Sequence, residues 1–498
     1  MENKAIIIGA GIGGLATALR LNKLGYKVSV FEKSDKPGGK ANELRNSGFR
    51  FDTGPSLFTM PWILEDLFNF LELDIKKYLE YKKLDILCKY FYSDNTIINA
   101  YSDKEKFIKE MTEKTTDGRE SFIKYFNYTN NIYNLTHKIF LENSLSEPDT
   151  YLNLDALKSL INLPKIDTNR TMANANSKYF KDPKTLQLFN RYATYNGSNP
   201  FKAPATLNII SHVENEKGGY FINGGIYKLI ETLTNLCISN NIELYYNTHV
   251  KNISVIDNKI QGITVIKNGK EEFLTGNIVI SNSDVLNTYK NLLTIKDKGK
   301  IKKYENLESS TSAIVFYWGI KGEYAKLKLH NILFSKDYKN EFEELFNYRI
   351  IPNDPTVYIY ISSKENSADA PTGYENWFVM INSPINNGQK WNEELLKAKE
   401  KIINRIEKTL NINIKDKIVF EKTLSPKDIE ELTDSYKGSL YGIASNNKMS
   451  AFMREQNRSS KYLGLYFVGG SVHPGGGIPL VMLSAKITSQ LIKKYQPA

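Results

Sequence analysis

The chain has 498 residues, with 66 Lys and Arg against 55 Asp and Glu and a formal charge of +11. That length is too great for one simple core and sets two domains as the expectation. The basic residues are scattered lysines with no arginine-rich stripe, which excludes nucleic-acid binding and leaves solvated lysine faces or attraction to an anionic membrane surface.

Two cysteines, Cys88 and Cys237, lie far apart without C-x-x-C spacing and read as reduced core residues of a cytoplasmic protein. The five histidines (His137, His212, His249, His330 and His473) form no ligand cluster, so no metal is expected. No secretory signal precedes the first strand, and no run of about 18 apolar residues exists to span a bilayer. A soluble or peripheral protein is expected.

The amino-terminal stretch is the most informative. A buried strand from Ala5 to Ile8 runs into Gly9-Ala10-Gly11-Ile12-Gly13-Gly14, with Gly9, Gly11 and Gly14 at G-x-G-x-x-G spacing. Gly9 permits the tight turn, Gly11 lets backbone N–H groups approach a pyrophosphate, and Gly14 lets the next helix pack close to the strand. That helix, Ile12 to Gly25, precedes a second strand, Tyr26 to Phe31, which ends on Glu32. A carboxylate about 20 positions past the glycines can accept both ribose hydroxyls of an adenosine.

Glu32 disfavours NADP, whose 2′-phosphate would meet a like charge. FAD is preferred over NAD because a second glycine pair and a cation follow, in Glu32-Lys33-Ser34-Asp35-Lys36-Pro37-Gly38-Gly39-Lys40, and then Asp52-Thr53-Gly54-Pro55-Ser56. Such a loop suits a longer pyrophosphate-ribityl chain, with Lys40 as a point charge on phosphate. A plain solvent turn is the bland alternative.

After Ser56 a helix-rich, aromatic-rich region is expected to about residue 200, starting with a helix around Trp62. Gly218 to Gly225 leads into an amphipathic helix, Ile226 to Ser239. Strands follow at Ile242–Tyr246, His249–Ile256 (carrying Val250, a further expected cofactor contact) and Ile260–Ile266, with turns at Asn258 and Asn268-Gly269. The run Ile278 to Asn282 resumes the parallel-sheet character. From about 290 to 435, antiparallel strands (Ile314–Trp318, Thr356–Ile361, Trp377–Ile381) mix with a helix from Trp391 to Leu410. The chain closes on Leu465 to Gly470 and a helix from Leu480 to Lys493.

Between those last elements lies Gly469-Gly470-Ser471-Val472-His473-Pro474-Gly475-Gly476-Gly477-Ile478-Pro479. Consecutive glycines before a Pro at a helix start let N–H groups press on a flat ligand. A helix N-terminus aimed at a flavin pyrimidine carbonyl would favour the negative charge that reduction puts there.

These motifs, with Asn282-Ser283-Asp284, resemble the bacterial phytoene-desaturase-type carotenoid desaturases over nearly the whole chain. The resemblance implies an FAD enzyme of amine-oxidase-like architecture that inserts double bonds into a C40 isoprenoid drawn from the membrane, passing electrons to quinone or oxygen. Arg191-Tyr-Ala-Thr-Tyr-Asn-Gly-Ser-Asn-Pro and Gly470-Ser-Val-His-Pro look most like the 1-hydroxycarotenoid 3,4-desaturase group. Two departures stand out. Gly470-Ser471 occupies the place where related flavoproteins put an aspartate for a ribityl hydroxyl, and Lys40 replaces a common arginine.

The fold class expected is α/β, a discontinuous FAD-binding Rossmann-type domain (1–70, 205–290 and 440–498) with an inserted α+β substrate or membrane-associated domain (71–204 and 291–439). Hydride loss from an allylic carbon leaves a cation delocalised over the polyene, so the protein must orient the chain, exclude water and take up a proton. Candidates for that proton, or for stabilising the cation, are His330 and the pair His212 and Glu214, which strand alternation would put on one face. Phytoene desaturation, amine oxidation and carotenoid isomerisation are the competing readings. If the substrate carries a 1-hydroxyl, a buried polar group should meet it.

Overall fold

The computed structural model describes residues 4–151, 166–448 and 450–498. Residues 1–3 and 152–165, which fall in the expected segments 1–70 and 71–204, lie outside the described set.

A five-stranded, wholly parallel sheet runs Glu243–Tyr245, Lys27–Phe31, Lys4–Ile8, Ile278–Ser281, Leu465–Phe467. Its strands are continuous apolar runs because both faces are covered. Helices Ile12–Lys23, Tyr227–Ser239 and Ile478–Tyr495 share one core with Ala5, Ile7, Val28, Val30 and Ile280. Ile6, Ile8, Val279 and Phe467 face the other side, against the antiparallel strands Thr248–Ile256 and Lys259–Lys267. The third strand of that meander is Lys270–Thr275, and its turns fall at Asp257-Asn258 and Asn268-Gly269 with positive φ, as the turn residues require.

A second, seven-stranded sheet runs Ile418–Leu424, Ser312–Lys321, Tyr374–Ser383, Val357–Tyr360, His330–Leu333, Ile86–Phe91, Ile97–Tyr101. Strict alternation sorts its side chains. On one face Ile314, Phe316, Trp318, Val357, Ile359, Trp377 and Val379 pack beneath the helix Trp391–Leu410, through Ala398, Ile402 and Ile406. The residues between them, Ala313, Val315, Tyr317, Tyr358, Phe378 and Met380, face the opposite way and line a large cavity.

Two expectations change here. The stretch after Ser56 is not simply helix-rich: it contains Tyr81–Lys83, Ile86–Phe91 and Ile97–Tyr101, the last two joined by a turn at Asp94-Asn95 and completing the large sheet. Ser211-His212-Val213-Glu214 is not a strand. It belongs to a helical run, Ile209–His212 continued by a π-helical turn, Val213–Lys217. Ile209, Ile210 and Val213, spaced as one helix face, line the cavity and set that conformation.

Candidate functional site

The cavity, of about 1190 Å³, runs from the glycine loops at the carboxyl ends of the parallel strands to the inner face of the large sheet. In an open parallel sheet this is where ligands collect.

The amino-terminal loop is built for close approach. Gly9 has φ +97° and donates its N–H to Phe31 O at 2.8 Å. A Cβ on Gly14 would stand 2.1 Å from the Gly9 carbonyl oxygen, and one on Gly13 would stand 2.7 Å from Asn282 Oδ1. Asn282 fills the gap between the two glycine loops, donating from Nδ2 to Gly9 O at 3.1 Å, while a Cβ on Gly469 would meet its Oδ1 at 2.9 Å. Helix Ile12–Lys23 starts at Gly11 with no side-chain cap and no acid in its first turn, so its leading N–H groups are left for a ligand.

Helix Ile478–Tyr495 repeats the arrangement at Gly477, φ +103°, again uncapped, with Pro479 in its first turn. A Cβ on Gly54 would stand 1.8 Å from Lys40 O, so Gly54-Pro55-Ser56 lies directly on the Gly39-Lys40 loop. Val250 lines the wall on the strand Thr248–Ile256. Two uncapped helix ends and cradles that a Cβ would fill fit a dinucleotide with a pyrophosphate at one end and a flat ring at the other.

The charged groups need closer reading. Glu32 Oε2 accepts from Ala10 N at 2.8 Å and Oε1 from Ser34 N at 3.0 Å, which fixes the carboxylate at the cavity edge with lone pairs to spare. Lys33 is drawn to Asp434 at 2.7 Å. Lys40 does not stand as a free point charge. Its ammonium donates to the carbonyls of Ser439 and Leu440, each at 2.9 Å, which uses two of its three donors to pin that loop. Burial lowers its pKa to about 8, against the pull of Asp284. Ser471 Oγ accepts from Val285 N at 3.1 Å.

The structure separates the three proposed proton handlers. His212 and Glu214, two residues apart on a helical turn, point about 200° from one another. Among the described residues His212 is not part of the cavity wall; its ring lies 4.7 Å from Tyr133, neither nitrogen has a hydrogen-bond partner there, and burial lowers its pKa to about 4. Glu214 reaches the wall, but Arg191 at 3.1 Å and Tyr192 at 3.0 Å occupy Oε1, and Tyr195 donates to Oε2. His330 is on the wall, and burial followed by the nearby Arg191 charge lowers its pKa to about 3, so its imidazole is neutral. Its Nδ1 bonds Tyr358 Oη at 2.7 Å, and Tyr358 Oη bonds Ser56 Oγ at 2.6 Å.

Three functional features escape sequence reasoning. Tyr358 sits in a core-like strand run, and only the period of Thr356-Val357-Tyr358-Ile359-Tyr360 hints that Tyr358 faces the cavity. Arg191, first noticed only within a motif, is the buried partner of Glu214, with the Tyr192 ring 4.6 Å from its guanidinium carbon. Arg454 donates to the carbonyls of Tyr441, Gly470 and Ile443 and holds the carboxy-terminal glycine loop from beneath.

A discontinuous dinucleotide fold whose carboxyl-end loops open onto an apolar chamber defines an FAD oxidoreductase class. The chain belongs to the flavin-containing amine oxidoreductase family, whose model matches residues 12–493. A 1-hydroxycarotenoid 3,4-desaturase of Flavobacterium sp. (strain P99-3) is 45% identical over 490 residues, covering 98% of this chain and 99% of the relative. A 4,4′-diaponeurosporene oxygenase of Staphylococcus haemolyticus (strain JCSC1435) is 33% identical over 99% of this chain and 98% of that protein. Among solved structures, a putrescine oxidase mutant matches with TM-score 0.66 at 12% identity, each chain covered to 99%. An oxidoreductase from Methanosarcina mazei matches with TM-score 0.63 at 15% identity, covering 98% of this chain and all of the other. These last two show the fold alone.

Proposed function

We propose that the protein is an FAD-dependent carotenoid desaturase that forms the 3,4 double bond of a 1-hydroxycarotenoid taken from a membrane surface. The observation that carries this reading is the continuity of one cavity from the glycine loops to an apolar wall, in a chain similar throughout to a relative of that name. The loops at Gly9–Gly14, Gly39-Lys40 and Gly469–Pro479 would hold FAD, which when bound would supply a two-electron acceptor for hydride.

The chain's own residues do the rest. Val315, Ile332, Phe378 and Met380 on the sheet face Leu207, Ile210 and Val213 on the helical side, which suits a flat, extended hydrocarbon. An apolar lining excludes water while an allylic cation forms. The neutral His330 is the proposed proton acceptor: His212 is off the wall, and Glu214 is held by Arg191, Tyr192 and Tyr195. An acid as strong as a polyene cation needs no strong base. Among the described residues no helix is long and apolar enough to cross a membrane, so the proposed contact with lipid is at the surface.

Co-expression with 1-hydroxylated acyclic or monocyclic carotenoids tests the reading. Pigment that loses two hydrogens and gains one conjugated double bond supports it. Desaturation of phytoene alone, oxygen gain as the oxygenase name of the second relative describes, unchanged mass, or hydrogen peroxide release on amines instead would overturn it.

A further inference from the structure

The 3,4 bond lies two and three bonds from a carbon bearing a 1-hydroxyl. A group that recognises that hydroxyl must therefore stand beside the dinucleotide end of the cavity, not at its far apolar end. The cavity-facing side of the large sheet is apolar or aromatic at Ala313, Val315, Ile332, Phe378 and Met380. Its polar groups include Asn382 and, beside the dinucleotide loops, Tyr358 and His330, which meet Ser56, the residue that ends the Gly54-Pro55-Ser56 loop.

Resting on the desaturase reading above, we infer that Ser56 and Tyr358 form the anchor for the substrate's 1-hydroxyl, oriented by His330. Tyr358 belongs to an interior strand of the sheet, flanked on both sides, yet it is only half-buried and lines the cavity. Ser56 is likewise half-buried and on the wall.

The direction of both bonds is set by the His330 tautomer, and protonation at Nδ1 is the form that leaves Nε2 the lone pair proton uptake requires. A neutral imidazole donating from Nδ1 to Tyr358 Oη obliges the phenol proton to go to Ser56 Oγ. Ser56 Oγ then keeps its own proton to donate and one lone pair to accept, so it can meet a ligand hydroxyl in either direction. The same tautomer leaves a lone pair on His330 Nε2, which has no hydrogen-bond partner among the described residues. A tertiary alcohol, donor and acceptor in one atom, matches this end of the relay. A carotenoid lacking the hydroxyl leaves the desolvated Ser56 hydroxyl, which Tyr358 orients, without a ligand partner, the kind of loss that hydrogen-bonding sites use to reject analogues.

The test compares kcat/KM for a 1-hydroxycarotenoid with that for the same carotenoid without the hydroxyl, in FAD-loaded wild type and in Tyr358→Phe. Phenylalanine keeps the ring and removes only Oη, and the FAD absorption spectrum with the melting temperature verifies a folded holoenzyme. Wild type should favour the hydroxylated substrate, and the variant should lower that preference by about 10–100-fold. Ser56→Ala should move the ratio the same way. A wild-type ratio near one, or a ratio unmoved in Tyr358→Phe, overturns the anchor alone. Wild type that desaturates neither carotenoid overturns the desaturase reading itself.

Discussion

Among single residues, His212 shows how burial can cost stability without serving chemistry. Its ring is packed against Tyr133, neither nitrogen has a partner among the described residues, and its pKa lies near 4 because burial disfavours the cation. The unfolded chain titrates near 6.5. Between those values the unfolded state binds the extra proton, so this contribution is fully present above about pH 6.5 and drains away as pH falls toward 4, by up to about 1.4 kcal/mol per pH unit. His212→Phe keeps a ring against Tyr133 and removes both the proton uptake and the unmet polar atoms. Its stability relative to wild type should therefore grow by up to about 2 kcal/mol between pH 7 and pH 5, read by urea denaturation at the two pH values. Carotenoid turnover should be unaffected, since the side chain is not on the cavity wall. A variant whose relative stability is the same at both pH values would refute the buried, neutral state of His212.

At the scale of elements, the hairpin Glu43–Asn46 and Phe49–Asp52 is clamped to the rest of the fold by one guanidinium. Arg50 bonds Asp52 through two nitrogens at 2.6 and 3.2 Å, Glu43 at 3.1 Å and Asp369 at 3.4 Å. Asp52 also accepts the N–H of Tyr227, at the start of helix Tyr227–Ser239. A Cβ on Gly225 would strike Arg50 Nη1 at 2.3 Å, so that glycine is what lets the helix reach the ion cluster. Arg50→Met leaves buried carboxylates without their cation and should cost about 3–5 kcal/mol, measured as a drop in the midpoint of chemical denaturation. A loss below about 1 kcal/mol would mean that the cluster does not hold the hairpin.

The same cluster illustrates what a sequence can and cannot disclose about elements. Asp52-Thr53-Gly54-Pro55-Ser56 was conspicuous as a motif, but nothing local tells a reader that Asp52 is structural while Ser56 faces the cavity. That distinction needs Arg50, Asp369 and Tyr358, which join the motif only through the tertiary fold. Elements with an unbroken period were legible: Trp391–Leu410 was read to the residue, and the parallel strands announced themselves as apolar runs. Ser211–Glu214 suggests a strand because His212 and Glu214 flank the apolar Val213, whereas Ile209, Ile210 and Val213 impose the helical template. Tyr81–Tyr101 was read too helically because its lysines and aspartates mask short strands that exist by pairing with His330–Leu333 and Gly219–Ile222.

For the whole molecule, the glycine loops proposed to hold the cofactor come from distant parts of the chain. Gly9–Gly14 and Gly469–Pro479 meet across Asn282, and Lys40 and Arg454 each spend their donors on backbone carbonyls that shape the loops around the cavity. These loops satisfy one another only partly, since two helices begin uncapped at Gly11 and Gly477. A dinucleotide that engages both helix ends should therefore stabilise the protein as one unit. At FAD about 100-fold above its Kd, linkage alone contributes about 2.7 kcal/mol, which a thermal-shift measurement on the apoprotein should register as a rise of a few degrees. FMN has the ring and the ribityl phosphate but no adenylate to meet Glu32 and Val250. At equal concentration it should raise the melting temperature by less, and adenosine diphosphate, which lacks the ring, should also fall short of FAD. Equal shifts from FMN and FAD would show that the Glu32 side of the site makes no net contribution, and would confine the functional contact to the carboxy-terminal glycine loop.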